Sequence, residues 1–194
     1  MIKRPRSWAV LATALFFAVS GFIVCSHWLR LGHVELALSI SRHVGLEAYS
    51  CILFAIANTV AVVLSVCYLN HIYEVHRFPK VWLVVASAMT VGLLAASCFP
   101  FTASGDWSSQ IHQAGSWLMF SMATLLAMIS MWSLRTRWLM IVGGLFLLYG
   151  AACIIWTFWY PEFFWSYVLV IESTFIFLMF LSILSIPAKK RDVL

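Results

Sequence analysis

Apolar runs of about 20 residues follow one another along almost the entire chain, separated by short polar connections. At a helical rise of about 1.5 Å per residue, each run is long enough to cross a hydrocarbon layer about 30 Å thick. The pattern predicts six membrane helices, over residues 8–29, 46–69, 80–99, 111–132, 138–159 and 163–186. The longest polar connection, 30–45, carries Leu36, Ile40 and Val44 at helical spacing and predicts a short amphipathic helix on the outer interface. A second outer connection spans 100–110, where Pro100 is expected to stop the third helix and Asp106, Ser108 or Ser109 to cap the fourth. The third is a tight turn over 160–162.

Charge supplies an independent test, because cytoplasmic loops of membrane proteins collect Lys and Arg. Lys3, Arg4, Arg6, Arg77, Lys80, Arg135, Arg137, Lys189, Lys190 and Arg191 all fall on one side of the six spans, ten of the twelve basic residues. Arg30 and Arg42 stand on the other side. The expectation is an all-α integral membrane protein, a six-transmembrane-helix bundle with both termini cytoplasmic and the whole chain as one membrane domain. Composition agrees: 63% of the 194 residues are hydrophobic and 10% charged, against about 25% charged in soluble domains. The net charge of +5 is spread over loops and does not form the stripe that nucleic acid requires, so no nucleic-acid partner is expected. The first run, at 22 residues, exceeds the core of a secretory signal and lacks a clear cleavage site, so it is kept as a membrane helix.

Cys25, Cys51, Cys67, Cys98 and Cys153 show no metal-ligand spacing and are expected to be free thiols behaving as small apolar residues. Tryptophans cluster near helix ends: Trp8, Trp82, Trp132 and Trp138 on the inner side, Trp28, Trp107, Trp156, Trp159 and Trp165 on the outer, as an aromatic belt. The stretch "WTFWYPEFFWSY", 156–167, is heavy for anchoring alone and could also wall an apolar groove. Small or weakly polar residues at seven-residue intervals, Thr13–Ser20–His27, Cys51–Asn58–Ser65 and Gly143–Gly150, read as packing seams.

Ionisable residues inside a span are functional candidates by default. Glu172 lies nine residues into the sixth span, roughly 13 Å deep by the helical rise, with no lysine or arginine at that depth. Asn58 lies at a similar level and is the expected intramembrane partner. Glu47 is expected to meet headgroups or Arg42. His112 shares a face of the fourth helix with Gly115 and Met119 and points along one side of the bundle near the outer interface. His71 and His76 are five apart and His27, His33 and His43 are scattered, a pattern that supports neither a metal site nor haem ligation. No cofactor is expected. Asp106, His112 and Glu172 on the outer half would suit acyl chemistry on a lipid, but no motif marks a serine or cysteine nucleophile.

The stretches "LSISRHVGLEAYSCILFAIANTVAVVLSVCYLNHI", "SCFPF" and "IHQAGSWLMF" resemble the six-helix Frag/DRAM/Sfk-like membrane proteins. That group includes damage-regulated autophagy modulators, GPI-anchor-remodelling relatives and prokaryotic relatives grouped as a domain of unknown function. The resemblance covers helices one to four. It implies a six-helix bundle with cytoplasmic termini and a role in membrane-lipid organisation or stress response, with Ser41, Asn58, Pro100, His112 and Gly115 at motif positions. Where those proteins carry an acidic residue after the loop serine, this chain has Arg42.

The leading expectation is a non-enzymatic multi-pass protein of the cell membrane, or of the inner membrane if prokaryotic. It would bind or organise membrane lipid, or a partner membrane protein, through an outer-half groove. The candidate binding residues are His112, Glu172, Asn58, Asp106, Trp159 and Trp165. The alternatives are a lipid-modifying intramembrane enzyme and an accessory subunit of a larger membrane complex, with homo-oligomerisation also open.

Overall fold

A computed structural model describes residues 5–99 and 106–188, all of whose regular elements are helices. They are α1 (Pro5–Leu31), α2 (Ile40–Gly45), α3 (Ala48–His76), α4 (Lys80–Cys98), α5 (Trp107–Leu134), α6 (Arg137–Trp159), α7 (Pro161–Ser166) and α8 (Val168–Leu184). Five of them, α1, α3, α4, α5 and α6, are long and apolar enough to cross a membrane. The expected sixth span is interrupted: Tyr167 leaves helical geometry at φ −124°, ψ 22°, and α7 ends there. This leaves α8 with 17 residues, about 25 Å of rise. The expectations for Pro100 and for the basic residues 3, 4 and 189–191 concern positions outside the described residues.

Neighbours in sequence are neighbours in space: α1 packs on α3, α3 on α4, α4 on α5, α5 on α6, and α6 on α8. Phe16 closes the circuit, its ring 6.0 Å from Phe54 of α3 on one side and 5.7 Å from Phe180 of α8 on the other. The α4–α5 contact is the most extensive, and two glycines explain why. A Cβ on Gly92 would stand 2.6 Å from the Met119 nitrogen, and one on Gly115 would stand 2.7 Å from the Ala96 nitrogen. The two backbones touch at a point where no side chain intervenes, the close approach that dense packing in lipid favours. Gly143 does the same on a smaller scale, its missing Cβ leaving room for the Met131 sulfur.

Tertiary structure overrides two expectations. Trp82 is not a belt residue: it is fully buried, donates its indole N–H to Ser130 Oγ at 2.9 Å, and stacks on Phe78 at 4.7 Å. Trp28, Trp107, Trp132, Trp138, Trp159 and Trp165 are exposed, as belt residues are. The amphipathic helix is shorter than expected: α2 buries Ile40, Ser41, His43 and Val44 against the bundle, while Leu36 stays outside it and exposed. The five cysteines are free.

At the opposite end, ring nitrogens of His71 and His76 reach the carbonyls of Ala188 at 3.2 Å and Pro187 at 2.6 Å, and Tyr68 donates to the Ile186 carbonyl at 3.1 Å. These histidines fasten the segment after α8 to α3. Both α3 and α5 end on an arginine in the left-handed conformation, Arg77 at φ 52° and Arg135 at φ 47°.

Candidate functional site: a cleft at one end of the bundle

The site begins with an orphaned carbonyl. In a helix the carbonyl of Ala96 would accept from the N–H of residue 100, and residue 100 is a proline, which has none. His112 takes that place: its Nδ1 lies 2.7 Å from the Ala96 carbonyl and 3.0 Å from that of Phe99. It reaches them because Asp106 starts α5 beside the end of α4, accepting the Ser109 N–H at 2.6 Å as an N-cap. The Gly92–Gly115 contact then holds the two helices close along their length.

Carbonyls only accept, so Nδ1 of His112 carries the hydrogen, and in the neutral ring Nε2 is left as an acceptor. Nε2 faces Ser116 Oγ, one turn further along α5, at 3.5 Å. His112 is 8% exposed and Ser116 half-buried.

Both residues line a narrow cleft among α1, α2, α3, α4, α5 and α8 whose free volume is about 30 Å³. Its polar groups are Ser41, Ser97, His112, Ser116 and Glu172; the rest of its wall is apolar, including Phe16, Phe54, Met119 and Phe180. Glu172 does not pair with Asn58, as the sequence suggested. Its Oε2 accepts the N–H of Ile40 at 2.8 Å, the first residue of α2. A carboxylate at a helix N-terminus satisfies a donor that has no partner within the helix. Ser39 caps the same helix from the other side, accepting from the Arg42 N–H. Asn58 is fully buried, does not line the cleft, and its amide nitrogen and oxygen have no hydrogen-bond partner among the described residues.

The remaining candidates separate from the cleft. Asp106 is a cap at the start of α5 and not part of the wall. Trp159 and Trp165 are 70% and 53% exposed and also stand outside it, so the aromatics of 156–167 do not wall this cleft. Glu47, at the start of α3, pairs with Arg30 near the end of α1.

Two features escaped the sequence reading. Ser116 was signalled only by its i+4 spacing from His112. The second is a buried histidine pair: His27 of α1 and His43 of α2 meet with their Nδ1 atoms 3.2 Å apart. His43 Nε2 lies 3.2 Å from the Glu35 carbonyl and must carry a hydrogen, so in the neutral pair His27 donates to His43. Burial pushes the His43 imidazole below its ordinary pKa, against the opposing pull of Glu35. Among the described residues no group of three or more His, Cys, Asp or Glu gathers into a metal-binding arrangement.

Comparison with known proteins finds no family model, no curated protein and no solved structure that matches this chain.

Proposed function

We infer that the protein is a multi-pass membrane protein that takes a single membrane lipid into its outer-end cleft. Six membrane crossings with both termini on the cytoplasmic side is the topology that suits the basic residues, α7 and α8 together serving as the sixth crossing. One observation carries the reading: His112, Ser116 and Glu172, with Ser41 and Ser97, converge on a narrow cleft whose remaining wall is apolar, a few polar groups set among greasy side chains. Depth agrees with it. His112 stands about 13 Å from the midpoint of α5 along the helix axis, close to the roughly 15 Å half-thickness of a hydrocarbon layer. Phe16, Phe54 and Phe180 pack on one another and are nearly closed off, so a lipid's acyl chain would enter as these rings part, its polar linkage meeting His112 and Ser116. The resemblance to the Frag/DRAM/Sfk-like proteins points to the same lipid-facing role.

The test is lipid retention. Purified in mild detergent, the protein should carry a lipid enriched over bulk membrane by mass spectrometry, and Ser116→Phe, which puts a ring at the cleft's edge, should lose it. A lipid profile identical to the bulk membrane for both proteins would sink the reading.

A further inference from the structure

We propose that Ser116 and His112 form a nucleophile–base dyad that cleaves an ester bond of the lipid held in the cleft. This rests on the lipid-binding reading and adds chemistry to it. The histidine is oriented as such a base must be: the Ala96 and Phe99 carbonyls hold Nδ1 in its protonated form, and so aim the Nε2 lone pair at Ser116 Oγ. The two carbonyls do what an acidic residue does in the usual three-residue arrangement, fixing tautomer and ring orientation. A separation of 3.5 Å is the loose contact common before substrate closes a site.

Location selects the substrate class. Ser116 stands one turn deeper than His112, about 7 Å from the midpoint of α5 by the helical rise, and its side chain leans back toward the helix N-terminus, so the bond it meets is one drawn below the headgroups into the apolar layer. The apolar wall suits an acyl chain, so the electrophile is an acyl ester carbonyl.

The step balances without an outside oxidant or metal. Ser116 Oγ bonds to the carbonyl carbon as its proton passes to His112 Nε2. The ester's C–O bond breaks, and the leaving alkoxide takes that proton and departs as an alcohol, leaving an acyl group on Ser116. A second hydroxyl compound, water or an alcohol, then gives its proton to Nε2 and attacks the acyl carbon; the bond from that carbon to Ser116 Oγ breaks and Oγ takes the proton back from Nε2. Water yields a free fatty acid and an alcohol yields a new ester.

The experiment uses the full chain in nanodiscs of phosphatidylcholine and phosphatidylethanolamine with a labelled acyl chain. A fluorophosphonate probe, which modifies serine oxygens activated by a base, is run in parallel, with the modified peptide located by mass spectrometry. The probe should mark Ser116, and labelled product should appear as fatty acid if water is the acceptor or as a new lipid if an alcohol is. Ser116→Ala should abolish both signals, and His112→Asn should reduce them about 100-fold, since Asn keeps a donor for the Ala96 carbonyl but removes the base. Should His112→Asn fail to fold, the wild type and Ser116→Ala decide the matter alone. No modification of Ser116 and no acyl release by wild-type protein that retains its lipid would overturn the dyad while leaving lipid binding intact. Loss of the lipid itself would overturn the binding reading instead.

Discussion

Gly92 and Gly115 meet where α4 crosses α5, and a methyl group on either would come within 2.6–2.7 Å of the opposing backbone. Backbone cannot step aside as a flexible side chain can, so the helices themselves must part. Gly115→Ala should therefore destabilise the protein by about 1–3 kcal/mol in thermal unfolding in detergent. Gly144→Ala is the control: it meets nothing within 4 Å and should be neutral or gain up to about 1 kcal/mol from helix propensity. A second residue-scale prediction concerns pH. The folded-state pKa of His43 is lowered, so below the ordinary imidazole value of about 6.5 the unfolded chain binds the extra proton first. The stability tied to neutral His43 is fully present above that pH and is lost as pH falls through it. Melting curves at pH 7.5 and 5.5 should show a smaller acid-induced loss for His43→Gln than for the wild type.

At the scale of elements, α2 is the piece that depends on others. Six residues cannot hold a helix alone, and α2 is kept in place by Glu172 at its first N–H, Ser39 at its cap and His27 against His43. Glu172→Ala leaves the Ile40 N–H without its acceptor and should cost about 1–3 kcal/mol, with faster hydrogen exchange over Ile40–Gly45. Glu172→Gln keeps an acceptor oxygen and should exchange nearly as slowly as wild type. Equal exchange in all three proteins would show that the carboxylate does not hold α2. Here the sequence reading ran out for a physical reason. Hydropathy marks the long helices, and five of the six expected spans match observed helices to within seven residues at their ends. The partner of Glu172, by contrast, is a backbone N–H, which every residue but proline carries and no pattern distinguishes. The same limit hid the carbonyl clamp on His112, although Pro100 in the sequence removes the donor that Ala96 needs. The break at Tyr167 left no mark either, because its surroundings are apolar on both sides.

For the whole molecule, orientation in the membrane is the property that decides which compartment the cleft opens to. In a variant lacking the native cysteines, His33→Cys and Glu162→Cys should react with a membrane-impermeant maleimide applied to intact cells. Glu74→Cys, at the other end of α3, should react only after permeabilisation. Labelling of Glu74→Cys in intact cells would invert the topology and put the cleft on the cytoplasmic side. The end that holds the cleft is also where the sequence was most informative and most incomplete. It brought His112 and Glu172 into one neighbourhood on helix depth alone, but it could not see that Glu172 turns to the Ile40 N–H and not to Asn58.

The left-handed arginines that end α3 and α5 place two requirements on single residues. The left-handed region suits glycine, and any side chain with a Cβ there costs about 1–2 kcal/mol. Glycine at position 77 or 135 would relax the folded backbone and yet delete a positive charge that biases which way the nascent helices enter the bilayer. Insertion happens once, during synthesis, whereas backbone strain persists for the lifetime of the folded chain. Arg77→Gly and Arg135→Gly should thus raise the melting temperature of correctly inserted molecules while lowering the fraction that inserts correctly, a separation between biogenesis and stability that bulk yield alone would conceal.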